Sequence, residues 1–358
     1  IPMCGVPVHA MEAYLARLIR AGHRVAIAEQ TESPADARRR GSKAIVSRAI
    51  VRVVTAGTLT EETLLEARAA NWLVAVAQVG EFFGLAAADI STGRFEIAET
   101  SLSGLDAELA RLSAAEVIVP NGAPLAGLVR PRQEFDSTAG EARLKRLFGV
   151  ATLDSFGGLT RAQTAAAGGL LSYLDHVGKG ALPFLSPPVK RTASDHMLID
   201  AATRESLELV RSAAGTRSGS LLDAVDRTVT PGGARLLASD IGAPLTDRDA
   251  IQARLDLVSY YVEDGAARDG LRAALRALPD VARALGRLSS GRGGPRDLGQ
   301  LRDGLGEARL LRERLSRSKD LPPLLTSLLP MLDGHGALVD LLGRALVQSP
   351  PIDAAQGG

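Results

Sequence analysis

Past Pro188 the sequence stops offering strands. From Ala201 onward, leucine and arginine recur at three- and four-residue spacing with almost no β-branched run. That is the pattern of helices that each bury one apolar stripe. The spacing predicts helices over 201–211, 220–225, 232–239, 248–262, 266–277, 301–315 and 337–347, preceded by one extended piece over 189–199. No fixed repeat period is evident, so this is a helical domain whose physical use is as long levers rather than a solenoid.

The part before Pro188 reads differently. Trp72–Gln78 and Phe83–Asp89 are apolar strands, and Thr92-Gly93 turns the chain tightly into Arg94–Ala98, giving an antiparallel meander. An amphipathic helix over 102–112, a short buried strand over 117–119 and a long alanine- and leucine-rich helix over 162–177 follow. Strands followed by helices around one sheet predict an α/β domain of ribonuclease-H-like shape, closed by the proline-rich stretch 182–188. Ahead of it lies a small α/β unit. A turn built on Pro2, Gly5 and Pro7 leads into a helix bearing Tyr14, Leu15, Leu18 and Ile19, Gly22 stops that helix, and Val25 and Ile27 alternate as in a half-buried strand. The expected organisation is 1–59, 60–188 and 189–358, a multidomain α/β plus all-α protein. With 358 residues and 46% hydrophobic content, two or three cores are affordable.

One cysteine, Cys4, excludes an internal disulfide, and no partner constellation makes it a nucleophile. Neither a secretory leader nor a membrane span is visible, so the expected compartment is the cytoplasm. The net charge of +1 conceals an asymmetry: residues 1–59 hold nine Lys/Arg against four Asp/Glu, residues 60–186 ten against fifteen, and residues 187–358 twenty-three against twenty-two. The first segment is a modest footprint for phosphate binding.

Several strings are more specific than these patterns. Ile1-Pro2-Met3, Gly5-Val6-Pro7 and His9, then Tyr14-Leu15, then Val25-Ala26-Ile27 with Glu29-Gln30, closely resemble the mismatch-recognition domain of the bacterial MutS proteins, which find mispaired bases in DNA. Val51-Arg52-Val53-Val54-Thr55 with Gly57-Thr58-Leu59 resembles the exit from that domain, and Asp89 to Phe95 the hairpin of the family's connector domain. Ile199 to Arg204 with Leu207-Glu208, Asp226 to Pro231 with Gly233, and Pro295 to Leu298 resemble its lever domain, in the family's order.

The resemblance implies recognition of mispaired or unpaired bases in double-stranded DNA, a MutL-type protein partner, a homodimeric parent and a nucleoid-associated location. It also implies that the chain begins within the mismatch domain and stops inside the lever, ahead of the clamp. An ATPase with ATP and Mg would belong to the parent, because no G-x-x-x-x-G-K-[ST] loop occurs here, and Gly41-Ser42-Lys43 lacks the first glycine. No catalytic residue and no cofactor or metal ligand is therefore assigned to this chain. Its rival is a protein-interaction scaffold that touches no DNA, a reading supported by the acidic middle segment.

The DNA-contacting candidates are His9, Arg48, Lys43 and Arg40. His9 stands where a helix begins and reads either as a phosphate or minor-groove contact or as a cap. Arg48 matches a family DNA contact by position, with a cross-sheet ion pair as its alternative. Arg38, Arg39, Arg40 and Lys43 read as a mobile loop with no fixed geometry, with added phosphate contacts as the alternative. Asp89, with Glu96, Glu116 or Asp136, is weighed as a metal cluster, and capping of the Ser-Thr-Gly turn is the expected role of Asp89. His23, His176, His196 and His335 lack ligand spacing, and Trp72 reads as core rather than a stacking platform.

Overall fold

The computed structural model describes residues 5–7, 10–41, 44–192, 194–318 and 320–352. Cys4, His9 and Lys43 lie outside the described residues. The small opening unit is helix α1 (Met11–Arg20), strand β1 (Val25–Gln30), helix α2 (Pro34–Arg39) and strand β2 (Arg48–Val54). The two strands form an antiparallel ribbon in which Val25 lies opposite Val54 and Gln30 opposite Arg48. Its core is thin: Leu15, Val54 and Leu59 are buried, while Tyr14 and Leu18 of the apolar stripe stay exposed.

The second unit holds strands β3 (Leu73–Val79), β4 (Phe82–Asp89) and β5 (Arg94–Ser101), helix α3 (Leu102–Leu112), strands β6 (Glu116–Pro120) and β7 (Leu128–Arg130), helices α4 (Ser137–Phe148) and α5 (Arg161–Gly178), and strand β8 (Val189–Arg191). The sheet order is β7-β6-β3-β4-β5-β8. Strands β3 to β5 are an antiparallel meander, and β6 and β7 add in parallel on the β3 side, the ribonuclease-H-like arrangement. Alternate residues of β3 feed two cores. Leu73, Ala75 and Ala77 face α5, and Val74 and Val76 join Leu105 and Leu112 of α3. A strand covered on both faces reads as a continuous apolar run, which is why this unit was legible in the sequence. Gly84 of β4 lets α5 approach so closely that a Cβ there would run into the backbone at Ala162.

The third unit is helical: α6 (Ala201–Ser206), α7 (Leu221–Val225), α8 (Pro231–Gly242), α9 (Arg248–Glu263), α10 (Gly265–Ala277), α11 (Val281–Ser289), α12 (Pro295–Ser316), α13 (Pro323–Leu328) and α14 (Gly336–Ala345). The helix expected over 201–211 ends at Ser206. Glu208 takes φ +46°, and the carbonyls of Glu208 and Leu209 accept the Leu221 and Leu222 N–H groups, each at 2.9 Å, so the chain doubles back instead of continuing. Helices α4, α11 and α13 were not anticipated. Helices α11 and α13 are short, at nine and six residues, and α4 carries a glycine in its first turns, so each offers a brief local signal. The shared core of this region, around Leu311, Leu315 and Leu325, is small, and neither α9 nor α10 buries a residue.

Candidate nucleic-acid interface and its junction with the helices

Arg48 opens β2 opposite the uncharged Gln30, so the ribbon register offers it no partner carboxylate. Its side chain is exposed, Nη1 donates to the Val46 carbonyl at 3.0 Å, and among the described residues it makes no ion pair. A guanidinium with one weakly committed donor keeps its remaining N–H groups for another acceptor.

Arg40 is placed differently. Its Nη2 pairs with the Glu32 carboxylate and also donates to the Ile45 carbonyl at 3.2 Å and to Ser47 Oγ at 3.4 Å. Glu32 accepts the Ser47 N–H at 2.6 Å as well. That backbone hydrogen bond, ahead of the Ser47 side chain and Arg40, holds the Glu32 carboxyl below its ordinary range, with burial opposing. Arg40 thus clips residue 32 to residues 45–47 and closes the excursion between β1 and β2. The mobile loop expected at 38–40 is corrected in its first part. Arg38 and Arg39 end α2, which Ser33 caps by accepting the Asp36 N–H at 3.1 Å. Arg39 makes an exposed pair with Asp36 at 3.3 Å.

The four carboxylates weighed as a metal cluster go to four separate tasks. Asp89, wholly buried, accepts the Ser91 N–H at 3.1 Å and the Ser91 hydroxyl at 2.6 Å, the turn-capping role. Glu96 is shared by Arg94, Arg111 and Arg191 at 3.0, 3.2 and 3.3 Å. Burial raises its pKa, and the three guanidiniums more than offset that, leaving it lowered. Asp136 caps α4 through the Ala139 N–H at 2.7 Å. Glu116 accepts the Thr55 hydroxyl, the Gly57 N–H at 3.1 Å and the Tyr173 hydroxyl at 2.6 Å, tying the exit of the ribbon to β6 and α5. Trp72 lies in the second core, as expected.

Sequence reasoning missed the junction where the three units meet. Arg52 of β2 pairs with Glu61, and Arg292, just past α11, donates to the Thr60 hydroxyl beside it. Burial and the nearby Arg52 pull the Arg292 pKa down to about 10, with Glu61 opposing. These groups line a cleft of about 660 Å³. A second tie runs from Arg68, in the segment before β3, to Asp226 at 2.7 Å, which Arg217 also contacts. Asp226 further accepts the Thr228 N–H at 2.8 Å and hydroxyl at 2.6 Å. Burial raises the Asp226 pKa, but these hydrogen bonds outweigh it and hold the carboxyl well below the ordinary range. Arg283 of α11 is buried and donates to the Glu66 and Ala69 carbonyls at 2.8 and 2.9 Å. At Gly286 the same helix lies directly on the Asp89–Ser91 turn, where a Cβ would run into the Ser91 carbonyl oxygen. The available signal was the Asp226-Arg227-Thr228 and Pro295-Arg296-Asp297 strings: Asp297 caps α12 and binds Arg287 at 2.6 and 2.8 Å.

Family profiles match this chain in three consecutive blocks: MutS domain I over residues 1–63, MutS domain II over 71–186 and MutS domain III over 202–358. The chain belongs to the MutS family. The DNA mismatch repair protein MutS of Zymomonas mobilis is 59% identical over 368 residues, an alignment covering 100% of this chain and 42% of that relative. Its counterpart from Erythrobacter litoralis is 57% identical over 368 residues with the same coverage of both chains. That of Cereibacter sphaeroides is 49% identical over 368 residues, again 100% and 42%. The chain therefore spans 42% of the length of these curated MutS relatives.

On the MutS frame, the ribbon carrying Arg48 falls in domain I, the six-stranded sheet in domain II and the helices in domain III. The Arg52–Glu61 pair and Arg292 then join domain I to domain III, and Arg283 and Gly286 join domain III to the segment entering domain II and to its hairpin. No helix among the described residues is long and apolar enough to cross a membrane.

Proposed function

We propose that this chain binds mispaired DNA through its domain I ribbon and carries the bound state into the helices of domain III. The observation that carries the reading is the part-buried junction: Arg52, Glu61 and Arg292 connect the ribbon bearing the exposed Arg48 to the end of α11. A ribbon displaced by a bent duplex pulls on the helices through that contact. Recognition in this reading is indirect. A mispaired step has lost stacking, so kinking it costs less than kinking a paired step, a difference within deformation energies of a few kcal/mol.

Arg48 supplies affinity through phosphate charge and carries no base information. His9 and Lys43 keep the roles of additional DNA contacts, while Arg40 acts by shaping the ribbon. The domain II sheet offers a surface to a MutL-type protein. In the longer MutS protein the helices pass the signal to an ATPase that uses ATP and Mg, within a homodimer in the cytoplasm at the nucleoid. The deciding experiment is a salt titration of matched and mismatched duplex binding by the longer MutS protein and its Arg48→Ala variant. Loss of about one from the slope of log K against log salt, equal for both duplexes, supports the phosphate role. An unchanged slope, or no duplex binding by the parent, favours the interaction-scaffold reading.

A further inference from the structure

A second cleft, of about 420 Å³, opens between the β3–β5 side of the sheet and the helices α6 to α8. Its wall includes Trp72, with the Arg94 guanidinium stacked 5.0 Å above the ring. Arg68 and Arg217 enter it from two different segments, held in place by the buried Asp226. Arg111 of α3 shares Glu96 with Arg94 and also holds Glu108 at 3.0 Å. Arg204 gives Nε and Nη1 to the backbone carbonyls of Ile199 and Gly242, and Glu108 and Asp200 attract it through space without a direct bond. Arg211 is exposed at the cleft and makes no ion pair or side-chain hydrogen bond among the described residues.

With Arg235, seven arginines line this space against one lining acid, Glu66. Adding the carboxylates that brace or attract those arginines (Asp226, Glu96, Glu108, Asp280 and Asp200) still leaves seven positive charges facing six negative ones. Glu96 is moreover shared with Arg191. Guanidiniums fixed by bracing hydrogen bonds lose little freedom when they bind, and each retains N–H groups suited to tetrahedral oxyanions. The volume is that of a small-molecule site, roughly 300–1,000 Å³.

We propose that this cleft binds a small polyphosphate anion, either inorganic or the phosphate chain of a free nucleotide, with Arg211 closing over it and Arg68, Arg94 and Arg217 as the fixed donors. The inference does not rest on the mismatch-binding reading, since no residue of the ribbon takes part.

Trp72 is the only tryptophan in the chain, so its emission reports on this cleft. Inorganic tripolyphosphate is titrated into the chain, and ATP in a parallel arm, with Arg211→Glu, Arg217→Gln and the remote Arg132→Glu beside wild type. The expected result is a saturable emission change that weakens with salt. The dissociation constant should rise about tenfold in Arg211→Glu and several-fold in Arg217→Gln, and hold in Arg132→Glu. Tighter binding of ATP names the nucleotide as the source, and equal binding names the phosphate chain alone; both support the site. The proposal is overturned by the absence of a saturable change, or by Arg132→Glu weakening binding as much as Arg211→Glu, which would make the charge diffuse. It is equally overturned if a matched DNA duplex shifts the Trp72 emission while tripolyphosphate does not, since the arginines would then form a DNA-backbone surface.

Discussion

Glu61→Gln separates the ribbon from the helices without disturbing either. Glu61 lies between two arginines from different units, Arg52 paired with it and Arg292 bonded to the adjacent Thr60. Glutamine keeps the shape and an acceptor for the Thr60 N–H, which Glu61 holds at 3.1 Å, but removes the charge. Two guanidiniums then face each other with no counter-ion. Removing one partner of a fully buried pair costs about 3–5 kcal/mol. Here the Arg52 and Glu61 side chains retain 11% exposure and border an open cleft into which a guanidinium can turn, so the loss falls to about 2 kcal/mol. That is roughly 30-fold in the opening equilibrium. Hydrogen exchange near neutral pH should therefore show the β2 peptides and the segment through Glu61 exchanging about 30-fold faster, with α5 peptides unchanged.

The pH dependence follows from the carboxyl. Burial raises the Glu61 pKa, and the attraction and hydrogen bond of Arg52 with the Thr60 N–H bring it below the ordinary value. A lowered folded value means the contribution is complete above the unfolded pKa of about 4.3 and is lost as the pH falls through the folded one. The difference in thermal midpoint between wild type and variant should thus be constant near neutrality and close below about pH 4. Equal exchange in the two proteins, or a gap that survives acid, would refute the junction as a mechanical link.

Gly286→Ala places a methyl group against the Ser91 carbonyl, forcing α11 off the β4–β5 turn; a destabilisation of about 1–3 kcal/mol in urea unfolding is expected, and a wild-type midpoint would contradict the contact. Asp89→Asn keeps one acceptor for the turn and loses the charge, costing about 1–2 kcal/mol, and the wild-type melting temperature should be the same with Mg or with a chelator; a metal-dependent shift would revive the ligand role. Arg40→Ala should speed proteolysis between residues 32 and 47 at unchanged global stability, whereas Arg48→Ala should not, because only Arg40 is committed to the Glu32 clip.

The sheet of domain II and most of the helices were legible because their signals are periodic. Strand β3 is apolar on both faces, α3 has a clean stripe, and Thr160 with Gln163 announces the start of α5 with a capping box. What escaped were elements whose order comes from long-range contact. Helix α11 is only nine residues long, between Pro279 and a glycine-rich run; Asp280 caps it and Arg283 anchors it to carbonyls more than two hundred residues earlier in the chain. The candidate site divides the same way. The sequence set Arg48 apart from the basic loop holding Arg40, but only the position of Glu32 shows that Arg40 is committed to an ion pair while Arg48 is available.

That distinction bears on how a small, thinly packed ribbon can act on long helices. Among the described residues the apolar cluster of domain I rests on Leu15, Val54 and Leu59, so packing alone gives it little stiffness. Its rigidity comes instead from polar ties at its exit: Glu116 gathers Thr55, Gly57 and Tyr173, and Glu61 gathers Arg52 beside Arg292. Ion pairs and hydrogen bonds are directional, and a displacement of β2 by a fraction of their length breaks them, whereas an apolar contact slides. The proposed coupling requires two states of the ribbon, engaged and released, with differential DNA contact biasing the balance between them. If Glu61→Gln in the longer MutS protein left duplex affinity intact but abolished the difference in ATP turnover between matched and mismatched DNA, the ties would be identified as the transmitting element. If affinity and turnover fell together, they would only hold the ribbon in place.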